Sequence, residues 1–368
     1  FDTGQAEPAE FRVVRWRAIG WGPVSAGLVV LAVLSQALQP SVTVETRIGA
    51  IGGGTPDVFG SVADIAVDAS GRIYVLDDRT YEVRVFTRSG EHVTSFGRRG
   101  QGPGEFDSPV SIDVAEGVVV VQNSNGLAVR FSTDGRHLTS NRVESGLKSS
   151  VWLGGDRFAV LKLGSTSLRR TDPSERLLLW EGTVTDTVAS APSSDLFVQS
   201  AGRSLARRTR FCGLLHFARD EAGTLLVGTG TDGRIGRVDW RGEDSRWVRR
   251  DQVATEATPL RDEDFAYLLA SLPEDYDVAR EDLVTSPVRS GMCGLEAGRD
   301  GLVWVRMADE NDRERWIGHD PDSLTPRQSV LMPVDVSVRA FANGWAVGTE
   351  SDELGVPYVL VLTLTKGD

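Results

Sequence analysis

Residues 97–106, Gly-Arg-Arg-Gly-Gln-Gly-Pro-Gly-Glu-Phe, place four glycines, two arginines and a glutamate in ten positions. Such a loop has the free backbone N–H groups and the cations to cradle a phosphate, provided that a helix follows it. No helical period follows; residues 110–115 alternate as a strand does. Gly97, Gly100, Gly102, Pro103, Gly104 and Phe106 are therefore expected to form a tight connection between strands, with Phe106 plugging the gap between neighbouring sheets.

The other groups able to do chemistry are dispersed. Of the four histidines, His92 and His137 each follow a turn near a strand edge and read as solvated, and His319 lies in a turn. Only His216 falls on an inner strand, and one histidine does not make a metal site. Asp64, Asp113 and Glu296 fall on inner strands, where carboxylates can face a channel and hold a cation. The chain has no Gly-x-Ser-x-Gly elbow, no His-Glu-x-x-His and no Gly-Lys-Ser/Thr phosphate loop. The expectation is a protein with no catalytic set, no bound metal and no cofactor. Cys212 and Cys293 occupy similar places in successive repeats. They can pair in an oxidising compartment or serve as small buried hydrophobes, and the sequence leaves both open. The basic run at 203–210 suits an acidic protein face or lipid head groups, and equally a solvated loop. A net charge of −12 argues against general nucleic-acid binding, which needs a basic face.

These residues must be positioned by short strands. From residue 41 the helical period is nearly absent, and apolar runs alternate with Gly, Asp and Asn turns. Residues 63–78 and 110–123 each read strand, glycine turn, strand, with turns at Gly71 and Gly117. The next strands also match: Phe86 and Phe131 are each followed four residues later by a turn glycine, Gly90 and Gly135. Weaker copies lie at 150–163, 214–229, 294–307 and 337–350. Six copies with a period in the forties predict an all-β fold, a six-bladed β-propeller over 41–368. The strand-like segment 41–50 is expected to close the ring beside the C-terminal strand at 358–367. Residues 258–283 break the pattern. Phe265, Leu268, Leu269 and Leu272 recur at helical spacing after acidic residues, which predicts a helical insertion that covers a blade edge or docks a partner.

Residues 96–138, and 48–68 before them, resemble an NHL-type repeat of six-bladed propellers, in which a glycine-rich connection ending in Gly-x-Phe leads into the innermost strand. Gly49 and Phe59 stand for Gly97 and Phe106 in the earlier copy. The resemblance covers 48–138 and fades after about residue 145.

The first forty residues differ. Residues 18–39 carry no charge, and as a helix they would span roughly 33 Å, enough for a hydrocarbon core. Arg12, Arg15 and Arg17 precede the segment, which sets the N-terminus in the cytoplasm by the positive-inside rule. Trp16 and Trp21 sit at the height of an aromatic belt, and Gly22 and Ala26, four apart, permit close helix packing. The small residues at 35–37 also suit a cleaved secretory signal. The anchor reading gives a short cytoplasmic tail at 1–17, one transmembrane helix at 18–39, and a periplasmic propeller on the inner membrane. Its partners would be the lipid bilayer and other membrane protein subunits, with no nucleic acid. That architecture resembles the extrinsic subunits that brace a reaction centre within its antenna in bacterial photosynthetic complexes, and the resemblance implies a structural role. The competing expectations are a periplasmic lactonase- or lyase-like propeller enzyme with a channel metal, and a ligand-binding sensor.

Overall fold

In the computed structural model of the chain, residues 41–365 are described, with breaks at 144–146, 164–165, 168–169, 172–173, 201–202, 208–210, 241–245, 255, 274–275, 277, 281–282, 284–287 and 308–312. The expected tail and helix at 1–39, with Arg12, Arg15, Trp16, Arg17, Trp21, Gly22 and Ala26, lie outside the described residues. Among the described residues, no helix is long and apolar enough to cross a membrane.

Six four-stranded antiparallel sheets succeed one another along the chain. In chain order the strands build blade 1 (62–96), blade 2 (109–142), blade 3 (147–192), blade 4 (215–252) and blade 5 (292–331), with a separate short hairpin of Thr166–Ser167 and Arg170–Thr171 between the second and third strands of blade 3. Blade 6 takes three strands from 337–365 and its outermost strand, Ser41–Ile48, from the other end of the chain. That strand runs antiparallel to Pro357–Thr365, from Ser41 opposite Thr365 to Ile48 opposite Val359. The six-bladed propeller is as the repeat predicts, and its ring closes through residues 41–48.

The pattern of burial follows from stacking sheets around an axis. A second strand has a neighbouring blade on each face, so both its faces are dry. Ile73–Asp77 and Leu225–Thr229 are buried at every position. Six of the hydrophobic clusters correspond to the six junctions between adjacent blades. The turns that join inner to second strands at Gly71, Gly117, Gly155, Gly223, Gly301 and Gly344 all have positive φ. Only glycine adopts that conformation without strain, which is why these turns can be read from the sequence.

Two connections do more than join blades. Residues 193–214, between blades 3 and 4, carry a hairpin of Leu196–Ser200 with Arg203–Arg207. Residues 253–291, between blades 4 and 5, carry the helix Asp262–Ala270, inside the expected insertion. Both leave an outermost strand and return to an innermost one, so they emerge on the same face of the ring. There they share a seventh hydrophobic cluster, with Leu196, Val198, Leu260 and Leu268 buried and Phe211, Phe265 and Tyr276 packed against them. Arg289 pairs with the fully buried Asp264, whose carboxylate also accepts a bond from the Arg261 N–H at the helix start. The result is a cap over one sector of the propeller.

Candidate functional site

The innermost strands of the six blades, Val62–Val67, Pro109–Ala115, Leu147–Gly154, Leu215–Arg219, Met292–Ala297 and Ser337–Ala342, surround a lumen of about 380 Å³. Five of the six contain a β-bulge near their start. A bulge inserts one residue and re-aims a side chain. In blade 6 the inserted residue is Arg339, which lines the lumen. In blade 3 it is Lys148, whose Nζ lies 2.6 Å from Glu175 Oε1 and 2.9 Å from Asp195 Oδ2. In blade 5 it is Cys293, which forms a disulfide with Cys212 and ties the start of blade 5 to the approach to blade 4.

Asp64, Asp113 and Glu296 all line the lumen, but they do different work. Asp64 Oδ2 accepts the Ile112 N–H of blade 2 at 2.9 Å, and its Oδ1 accepts the Ile65 N–H. Asp113 Oδ2 accepts the Trp152 N–H of blade 3 at 3.1 Å. Each aspartate therefore clamps its own inner strand to the next one. Burial pushes the Asp64 carboxyl up to about 6, against the lowering effect of the Ile112 N–H and Arg339. Burial also raises Asp113, with Arg219 opposing it. Glu296 accepts no hydrogen bond among the described residues. Burial, reinforced by repulsion from Asp64 and Asp113, pushes it up to about 8.

His216 lies on an inner strand, as expected. Its Nε2 is 3.0 Å from both Gly213 O and Met292 O, so that nitrogen carries a proton and donates across the junction of blades 4 and 5. Burial lowers its pKa to about 4, so it is neutral at physiological pH. With Nε2 protonated and engaged, that nitrogen is no metal ligand in this arrangement. No three His, Cys, Asp or Glu side chains converge as a metal-binding group among the described residues. His92 and His137 stay near blade edges, where each packs edge-on to a phenylalanine.

Two arginines brace the far end of the lumen, and sequence reasoning missed both. Arg299 sits in the turn after the inner strand of blade 5. Its Nε donates to Val67 O of blade 1 at 2.6 Å and its Nη2 to Val114 O of blade 2 at 3.1 Å. Nη1 meets Glu221 of blade 4 at 2.9 Å, and its backbone N–H donates to Phe341 O of blade 6. One side chain and its amide thus join five blades. Arg219 of blade 4 reaches Glu116 of blade 2 at 2.8 Å. Nothing local marks either residue, because their partners lie far away in sequence.

The glycine-rich connection proves to be a junction. Phe106 is fully buried in the cluster between blades 1 and 2, beside Leu76, Val85 and Phe131. Gly97 has φ of +90°, and a Cβ there would overlap the Phe106 ring. Glu105 folds back onto the Gly102 N–H and Arg98, filling the anion-binding position with the chain's own carboxylate.

A family model described as a six-bladed β-propeller matches residues 56–144. A Bacteroides fragilis protein described provisionally as exported is similar in structure, with 14% identity, TM-score 0.50, and coverage of 90% of this chain and 96% of its own. A Bacteroides vulgatus protein is 8% identical with TM-score 0.47, covering 89% of this chain and 99% of its own. A virginiamycin B lyase of Staphylococcus aureus is 9% identical with TM-score 0.41, covering 89% and 100%. No curated protein matches the sequence significantly. The first of these likenesses, with the family match, agrees with the propeller fold.

Proposed function

We propose that the chain is a non-catalytic propeller that serves as an interaction subunit of a larger membrane assembly. The observation that carries this reading is how the lumen spends its polar groups. Asp64, Asp113, His216, Arg219 and Arg299 are all committed to bonds between blades. Glu296 is left without a second group placed to complete an acid–base pair or an activated nucleophile. A lumen built this way braces the ring without a catalytic set, so the protein partners of this reading are met by the outer surfaces.

In this reading residues 18–39 tether the propeller to the inner membrane, and Trp16, Trp21, Gly22 and Ala26 meet the partner subunits and the lipid. The propeller is then periplasmic, a compartment that favours the Cys212–Cys293 disulfide. The NHL likeness of residues 48–138 belongs to the same proposal. Identifying the partner as a reaction centre within its antenna rests on architectural resemblance alone. Gentle detergent extraction from native membranes tests the reading. Integral membrane subunits should co-purify in fixed ratio, and their loss should follow replacement of Arg12, Arg15 and Arg17 by glutamate. A chain that extracts alone as a monomer would overturn it.

A further inference from the structure

The lumen has more acid than its own arginines relieve. Arg306 spends Nε and Nη2 on Cys293 O and Nη1 on Glu314. Arg219 is paired with Glu116, and Arg299 with Glu221 and two carbonyls. Arg339 remains as the guanidinium facing Asp64 and Glu296. Among the described residues, Asp64 and Glu296 therefore face one guanidinium without a bonded partner, while Asp113 is offset by Arg219 and Arg299, which are already paired. Asp64 and Asp113 are anchored by backbone N–H groups, while the Glu296 carboxyl is open to the lumen and unbonded.

An anion entering this space would add to the repulsion; a cation would relieve it. The volume of about 380 Å³ falls in the range that holds small molecules. The absence of converging metal ligands among the described residues favours an organic cation over a bare metal ion. We propose that the lumen binds a small organic ammonium compound, with its cationic head against Glu296 and Asp64. This inference concerns the lumen alone and is independent of any membrane partner.

Binding requires Glu296 to be ionised. Asp64 and Asp113 hold its proton on, Arg339 and Arg306 act to remove it, and His216 is neutral. With the Glu296 carboxyl raised to about 8, most of it carries a proton at pH 7 and gives it up on binding. Affinity should therefore rise on the order of tenfold between pH 7 and pH 9.

Titration calorimetry on the full chain tests this with tetramethylammonium, whose charge does not depend on pH, with the diamine putrescine, and separately with calcium ion. The expected result is saturable binding of at least one ammonium probe, about tenfold tighter at pH 9 than at pH 7. Runs in two buffers of different ionisation heat should show proton release at pH 7. Glu296→Gln should abolish binding while its melting curve stays cooperative, and Arg339→Ala should tighten it. The proposal is overturned if neither ammonium probe binds, if Glu296→Gln binds as well as the parent, or if calcium binds while the ammonium probes do not.

Discussion

Blades 1 and 2 repeat one another contact by contact, whereas blades 3 to 5 repeat only the strands. Phe59 packs edge-on to Phe86 at 5.8 Å between ring centroids, and Phe106 packs on Phe131 at the same distance. Phe86 meets His92 at 5.6 Å and Phe131 meets His137 at 5.9 Å. Each histidine then bonds the serine three residues on, Ser95 or Ser140. Among the described residues, blades 3 to 5 have no such matched series. Their connections at 193–214 and 253–291 are long enough to bury residues of their own, and they build the cap. A short connection has one task, to turn the chain and seal the junction, and one solution serves twice. A long connection is released from that constraint and diverges.

Removing the sealing residues is the strongest attack on this contrast. Phe106→Ala should cost about 3–5 kcal/mol by chemical denaturation, the usual range for a buried aromatic. Phe59→Ala should cost a similar amount if the two junctions are equivalent. A difference above about 2 kcal/mol would break the analogy between them. In the diverged half, replacing Cys212 and Cys293 together by alanine should cost about 2–4 kcal/mol, since the bridge spans 81 residues. Its effect should fall on the cap: limited proteolysis of this double variant should cut within 193–214 and 253–291 sooner than it does in the parent.

Arg299→Met tests whether the two halves are braced together. It should cost about 2–3 kcal/mol, because two buried carbonyls lose charged donors. Arg299→Lys should recover only part of this, as an ammonium cannot span the same acceptors.

Much of the regular half was legible because its signals are local. A glycine at positive φ and a Gly-x-Phe spacing mark a turn and a plug wherever they fall, and Gly71, Gly117, Gly97 and Phe106 announce themselves in this way. The strand-and-turn copies at 150–163, 214–229, 294–307 and 337–350 were found by the same means. The placement of Asp64, Asp113, His216 and Glu296 on inner strands also followed from the repeat. Their division of labour did not, because it depends on which N–H of the next blade each one reaches. Arg299 was invisible for a sharper reason: two of its acceptors lie 232 and 185 residues away. The hairpin at 196–207 escaped notice because two five-residue strands carry too little alternation to separate from a loop.

A pH series refines the comparison further. A carboxyl whose pKa is raised on folding binds its proton more tightly in the folded state, so stability falls as pH rises from the unfolded value to the folded one. For Glu296 that window runs from its ordinary value of 4.5 to about 8. Glu296→Gln should match the parent below about pH 4 and become progressively more stable than it as the pH rises to 9, measured by denaturation at each pH. The smallest expected effects lie at the blade edges. His92→Ala and His137→Ala should each cost about 0.5–1 kcal/mol, by equal amounts, through loss of the edge-on ring contact.

The outermost strand of blade 6 has a consequence for how the chain is made. Ser41 finds its hydrogen-bonded partner, Thr365, 324 residues later. At ribosomal rates of about 5–20 residues per second, the strand waits on the order of 16–65 s for that partner to exist. Throughout that interval the five other blades can assemble, yet the ring stays open and a short β-prone segment stays unpaired. Its alternation of valine with threonine and glutamate at 42–46 keeps one side of the waiting strand polar. Closure is thus a timed event at the end of synthesis, and a chain released before its last strand would leave an open arc with two exposed edges.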